Sequence, residues 1–441
     1  MLRRALDRAR LGAAVVAASL ALVAPRAEAN GRFPAAQHVW VGPGRSSQSI
    51  ALRTTFGFAL SHDGGQTFHW ACEQALGYSG GVFDPAFVLD ANSRLHVALF
   101  DGLGALSADG CSFTREPALE SQFMADLDTN RDGTTVLAIS SNGSPTVANR
   151  VYRSVSGSAF EPLGAGMSGV LFSTLEMARS DEQRVYATAL IPSSPSRPAF
   201  YRSDDGGATL TEVPFGPATI VRSVYVSGID PTNRDVVFAR GLLRDIGDAD
   251  TMSEPSVLLR STDAGNTWTE VGRTHYPMRG FAISDDGQTV WYGAANSAEG
   301  LFRSDDRGVT FARIGEQEVQ CLRQHEGVLY LCANYVRDGF ALGRSMDRGD
   351  TFSSLLEFVD LQGPFACEGD ASTNSCDRLW PAVHSMFVPA TDGGTEMDAS
   401  VAEPMTQPST CGCAVPGRNT HAAWGGWIVV AWLVARRRRA A

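Results

Sequence analysis

Ser304-Asp305-Asp306-Arg307-Gly308-Val309-Thr310-Phe311 sets the period of this 441-residue chain. The pattern Ser-x-Asp-x-Gly-x-Thr-aromatic returns as Ser61-His-Asp63-Gly-Gly65-Gln-Thr67-Phe68, Ser261-Thr-Asp263-Ala-Gly265-Asn-Thr267-Trp268 and Ser345-Met-Asp347-Arg-Gly349-Asp-Thr351-Phe352. A fifth copy, Ser203-Asp-Asp205-Gly-Gly207-Ala-Thr209-Leu210, lacks only the aromatic. Two degenerate copies start at Ser107, one residue short so that Phe113 follows Asp109 one position early, and at Ser154, without a carboxylate. Starts separated by 46, 47, 49, 58, 43 and 41 residues mark stacked or radially arranged units.

Around the opening stretch, residues 278–283, 289–293, 301–303 and 310–314 read as four short strands, rich in β-branched and aromatic residues and divided by Gly and Asp turns. Four strands per repeat make one propeller blade. Seven motifs predict an all-β, seven-bladed propeller of four-stranded antiparallel blades, with six blades the alternative. No helical periodicity appears between residues 30 and 388.

The formal charge is −11, and the basic termini mask a more acidic body. Residues 1–30 carry five Arg against Asp7 and Glu28, and Arg436–Arg439 close the chain, so the segment between stands at −18. That balance excludes nucleic acid, whose phosphates need Lys and Arg, and disfavours adhesion to anionic lipid. Arg3, Arg4, Arg8 and Arg10, the apolar run 11–24 and Ala27-Glu28-Ala29 have the order of a secretory signal over residues 1–29.

Export permits disulfides. The expected pairs are Cys321 with Cys332 across a hairpin, Cys367 with Cys376 around a polar loop, and Cys72 with Cys111, although sequence alone does not fix connectivity. The propeller is expected over 30–388 with a stapled closing strap, and a flexible linker over 389–410. Residues 411–441 follow with Cys411-Gly-Cys413, an apolar segment and the Arg run. The apolar segment, 422–435, is short of the ~20 residues a spanning helix needs. This order resembles the C-terminal sorting signal of myxobacterial surface proteins, which implies an anchor point at Cys411 or Cys413 and removal of the Arg tail.

The repeated stretch resembles the Asp box of the BNR, or sialidase-like, repeat family. The resemblance implies a structural turn on the propeller rim, formed here by Ser61, Asp63 and Gly65, by Asp109, and by Asp205 and Gly207. Asp263 with Gly265, Asp306 with Gly308, and Asp347 with Gly349 complete the set. Sialidases of this superfamily use an arginine triad, a Tyr–Glu pair and an Asp acid, usually on six blades. Here Arg222, Arg279 and Arg323 fall in or beside first strands of consecutive blades, where guanidinium forks could hold a carboxylate. Asp84 and Glu176 are the candidate opposing carboxylates for glycoside chemistry.

Asp126-Leu-Asp128-Thr-Asn130-Arg-Asp132-Gly133 fails as a calcium loop and reads as a hairpin turn, because Arg131 stands where Gly is required and Leu137 where Glu is. The eight His lack metal-ligand spacing, and no cofactor motif is present. The acidic insertion 244–255 is a further candidate contact loop. The reading favours an exported, cell-surface, monomeric binding or scaffold module for a protein, peptide or glycan, like propellers of the sortilin or photosystem-assembly type. A sialidase-like exo-glycosidase is the alternative.

Overall fold

A computed structural model describes residues 32–43, 48–78, 83–244, 254–369 and 372–388. The signal segment, the core of the blade-five insertion, the linker, Cys411 and Cys413 lie outside these residues. Strands numbered β1 to β28 form seven four-stranded sheets, each built from consecutive antiparallel strands. The expected seven-bladed propeller is the observed fold.

The innermost strands are β1 (Ala36–Val41), β5 (Phe87–Leu89), β9 (Met124–Thr129), β13 (Leu171–Met177), β17 (Val221–Ile229), β21 (Met278–Ile283) and β25 (Cys321–His325). The middle strands are covered on both faces by neighbouring blades. Leu95–Leu99, Gly102–Leu106 and Val290–Ala294 are buried at every position, so their sequences run apolar without alternation. The outermost strand of blade three, Glu161–Ser168, is mostly exposed.

The Asp boxes join the third and fourth strands. Ser304 Oγ donates to Asp306 Oδ1 at 2.6 Å and accepts from the Gly308 amide at 2.8 Å. Asp306 also accepts from the Thr310 amide at 2.9 Å and the Thr310 hydroxyl at 2.6 Å. The same bonds recur at Asp63, Asp263 and Asp347. Gly308 has φ +75°, and a Cβ there would stand 2.5 Å from the Phe238 ring of the preceding blade. The box thus seats its own blade on the one before it. Phe311 packs edge-on against Tyr292 of its own blade at 4.9 Å.

Among the described residues no sheet combines strands from both chain ends, so there the ring is not closed by a shared blade. Blade seven instead packs on blade one through Val39, Val41, Leu342, Leu356 and Phe358. Beyond blade seven the chain continues as a strap. Gln362 lies parallel to the edge of blade one, donating to Phe68 O at 2.9 Å and accepting from the Trp70 amide at 3.1 Å. Phe365 then stacks on His69 at 4.4 Å, and the short helix Trp380–His384 places Trp380 5.6 Å from Trp70.

Two disulfides fasten this strap, and they correct the expected pairing. Cys72 bonds Cys376 and Cys111 bonds Cys367, with Cα–Cα distances of 5.4 and 5.6 Å. Neither Cys72–Cys111 nor Cys367–Cys376 forms. Cys72 ends the outer edge of blade one and Cys111 sits in the box turn of blade two, so each meets the strap that runs past both. Cys321–Cys332 forms as expected, between residues directly opposed in a hairpin.

Candidate functional site in the propeller axis

The seven inner strands surround a central cavity of about 470 Å³, and every blade contributes lining residues. None of the Asp-box residues lines it. Blade seven supplies Arg323 and Gln324, blade one His38, Trp40 and Arg53, blade three Asp126 and Asp128, and blade four Glu176 and Arg179.

Strand geometry explains these placements. Successive residues of a strand point to opposite faces, so Asp126 and Asp128 share one side of β9. Both are tied to the neighbouring blade. Asp126 Oδ2 accepts from the Leu175 amide at 2.8 Å, and Asp128 Oδ2 accepts from the Met177 amide at 2.7 Å. The stretch 126–133 is therefore not one hairpin turn. Its first four residues complete the inner strand, and the turn begins at Asn130, whose Oδ1 accepts from the Thr135 amide at 2.9 Å.

Burial dominates the electrostatics. It pushes the Asp126 carboxyl up to about 7 despite its two backbone bonds, and it raises Asp128 as well. Glu176 rises well above the carboxylate range through burial and the proximity of Asp128 and Asp126. Burial, with Arg53 and Arg323 nearby, drives His38 down to about 3, so its imidazole is neutral. Burial and Arg179 bring Arg323 down to about 9.

Several polar atoms of the cavity lack a partner within the protein. Arg323 stacks on the Trp40 ring at 3.6 Å and makes no hydrogen bond among the described residues. Trp40 is 7% exposed, and its indole Nε1 has no acceptor. Arg53 donates through Nη1 to Pro85 O at 2.6 Å while its Nε is unpartnered. Gln324 Oε1, also buried, lacks a donor. Buried donors and acceptors are ordinarily satisfied, so such a concentration in one cavity is unusual.

The sequence-chosen residues are divided by the fold. Arg323 and Glu176 line the cavity. Arg279 reaches its edge, exposed, and donates to Gln320 Oε1 at 2.7 Å. Arg222 is exposed on β17 and does not line it. Asp84 is engaged elsewhere, in a two-pronged ion pair with Arg32 at 2.7 and 2.9 Å and a bond from Gln37 at 3.0 Å. The three chosen arginines do not converge, because Arg222 lies outside the cavity, and no Tyr–Glu hydrogen bond reaches Glu176 among the described residues. No group of three His, Cys, Asp or Glu suited to a metal occurs among them either. Arg53, Trp40, His38, Asp126, Asp128 and Arg179 escaped the sequence reading.

No protein-family model matches the chain, and no curated protein does. Several solved structures align with it. Hydrazine synthase of Kuenenia stuttgartiensis aligns with TM-score 0.48 and 8% identity, over 73% of this chain and 98% of that one. The GH74 enzyme of Niastella koreensis aligns with TM-score 0.31 and 12% identity, over 72% and 78%. The β-propeller domain of the trilobed protease from Pyrococcus furiosus, described as having an open velcro topology, gives 0.39 and 10% over 73% and 85%. The functional reading rests on this chain's own residues.

Proposed function

We propose that the chain is an exported, surface-tethered propeller of the Asp-box type that acts as a binding module, with the axial cavity as its ligand site. The observation that carries the reading is the set of unpartnered buried groups, Trp40 Nε1, Arg323 Nε, Arg53 Nε and Gln324 Oε1, gathered in one cavity. A concave site with a few convergent polar groups is the common form of a small-ligand pocket. Three disulfides suit an oxidising compartment, in keeping with the secretory signal and the C-terminal sorting segment read from the sequence. No helix among the described residues is long and apolar enough to cross a membrane.

Binding is favoured over exo-sialidase action because Arg222 and Asp84 are held away from the cavity. The reading is tested on the full chain by following tryptophan fluorescence during titration with free peptides and acidic oligosaccharides. A saturable change abolished by Trp40→Phe and by Arg323→Met is expected. In parallel, a fluorogenic sialoside should remain intact. Turnover lost in Glu176→Gln would overturn the binding reading in favour of the glycosidase.

A further inference from the structure

The cavity carries Arg323 on one side and a cluster of three carboxyl groups on the other. Consecutive inner strands are neighbours around the ring, so in a seven-blade circle blade seven stands diametrically across from the seam between blades three and four. Arg323 occupies blade seven, and Arg53 lies on the adjacent blade one, within electrostatic reach of Asp126. Asp126, Asp128 and Glu176 occupy blades three and four. The His38 ring lies among the two arginines and is neutral, so it neither adds to nor cancels their charge.

These two sides do not pair by contact. Arg323 lies within electrostatic reach of Asp128 and Glu176, yet neither carboxylate hydrogen-bonds to it. Glu176 accepts no side-chain hydrogen bond among the described residues. Arg179, on blade four, lies within electrostatic reach of Asp128 and Glu176 and offsets part of any charge they carry. Two further arginines are already engaged, Arg240 with Met278 O and the face of Tyr225, and Arg279 with Gln320. The orphaned polar atoms match this division. Two of the donors, Trp40 Nε1 and Arg323 Nε, belong to one stacked pair on the basic wall. Trp40 is more than nine-tenths buried, so that donor has no access to bulk water.

We infer that the axial cavity binds a small free zwitterion of amino-acid to dipeptide size. Its carboxylate meets Arg323 and Trp40 Nε1, and its ammonium meets Glu176 with Asp128. This inference rests on the cavity being the ligand site and specifies what that site selects. Burial favours the protonated carboxyls of Asp128 and Glu176 in the empty cavity, so the ammonium binds there with loss of a proton, and its charge offsets the carboxylate that results. A zwitterion supplies both counter-charges in one molecule. The cavity volume accommodates a ligand of that size with water to spare.

The test uses the intact chain and calorimetric titration with alanyl-alanine, N-acetyl-alanyl-alanine and alanyl-alanine amide. The free dipeptide should bind, and each blocked form should bind at least about tenfold more weakly, the size of one lost charge-assisted hydrogen bond. In Arg323→Met the free dipeptide and the amide should become equal. In Glu176→Gln the free and N-acetylated forms should become equal. Circular dichroism confirms that both variants fold, and the wild-type comparison stands without them. Equal binding of all three compounds, or binding of none, overturns the inference. If an uncharged glycan instead binds in a Trp40- and Arg323-dependent manner, the zwitterion is wrong and the cavity reading survives. Ligand binding indifferent to both Trp40→Phe and Arg323→Met removes the cavity reading itself.

Discussion

The guanidinium carbon of Arg323 lies 3.6 Å from the centre of the Trp40 ring, joining the first strand of blade seven to the first strand of blade one at the seam where the ring closes. The contact links a cavity-lining group to closure of the fold. The two contributions can be separated by substitution. Arg323→Met keeps most of the volume over Trp40 and removes a buried charge that makes no hydrogen bond, so stability should change by no more than about 1 kcal/mol or rise. Trp40→Ala leaves a cavity at the seam and should cost roughly 3–5 kcal/mol. Urea unfolding monitored by circular dichroism measures both, and a large loss in Arg323→Met would mean that the cation holds the seam.

The acidic wall should make stability fall with rising pH. Asp126 is raised to about 7, and Asp128 and Glu176 are raised as well, so the folded chain holds protons that the unfolded chain releases near pH 4. Their stabilisation is complete below that pH and is lost as pH climbs through 7 and above. Asp126→Asn should match the native chain at pH 4 and exceed it by on the order of 1–2 kcal/mol at pH 8. Equal melting temperatures at pH 8 would contradict this account.

His38 acts in the opposite direction. Its folded value of about 3 lies below its ordinary 6.5, so its contribution is present above pH 6.5 and disappears as pH falls through 6.5 towards 3. His38→Gln should flatten the acid limb of the stability profile between those values while leaving pH 8 little changed, as thermal scans across the range would show.

Within the Asp box, backbone geometry should matter more than charge. Asp306→Ala removes exposed charge-assisted bonds and should cost about 1 kcal/mol. Gly308→Ala forces a Cβ into φ +75° and towards Phe238, and should cost roughly 2–4 kcal/mol. Equal effects would mean that the box is held by its carboxylate rather than by its seating on the preceding blade.

The two strap disulfides should not behave additively. With one in place, the other closes only a modest loop, so its loss costs about 4 kcal/mol in the chain-entropy account. Losing the last bridge frees a loop of some three hundred residues and should cost about 5–6 kcal/mol more. Cys72→Ser, Cys111→Ser and the double variant, compared in guanidinium, give the coupling. Simple additivity would show that the strap is held by Gln362 and the Trp70–Trp380 packing instead.

The fold was legible because it is periodic. The recurring Ser, Asp, Gly and Thr of the box mark the turn between third and fourth strands, and counting turns counts blades. The site was legible only in part. Arg323 and Glu176 could be placed from their strands, but Asp126 and Asp128 fall beside a Gly-Asp turn whose composition resembles an ion loop and conceals where the strand ends. Their spacing of two on a blade's first strand was the available signal. Trp40 and Arg53 carry no local pattern, since what distinguishes them is a missing partner. The two strap disulfides could not be read from spacing because the strap brings together residues from opposite ends of the chain.

That strap also imposes an order in time. Cys72 and Cys111 emerge early in synthesis, whereas Cys367 and Cys376 come after all seven blades. A ring assembled without its last segment would present two free thiols on blades one and two, the chemical mark by which an oxidative folding machinery can distinguish an unfinished molecule from a completed one.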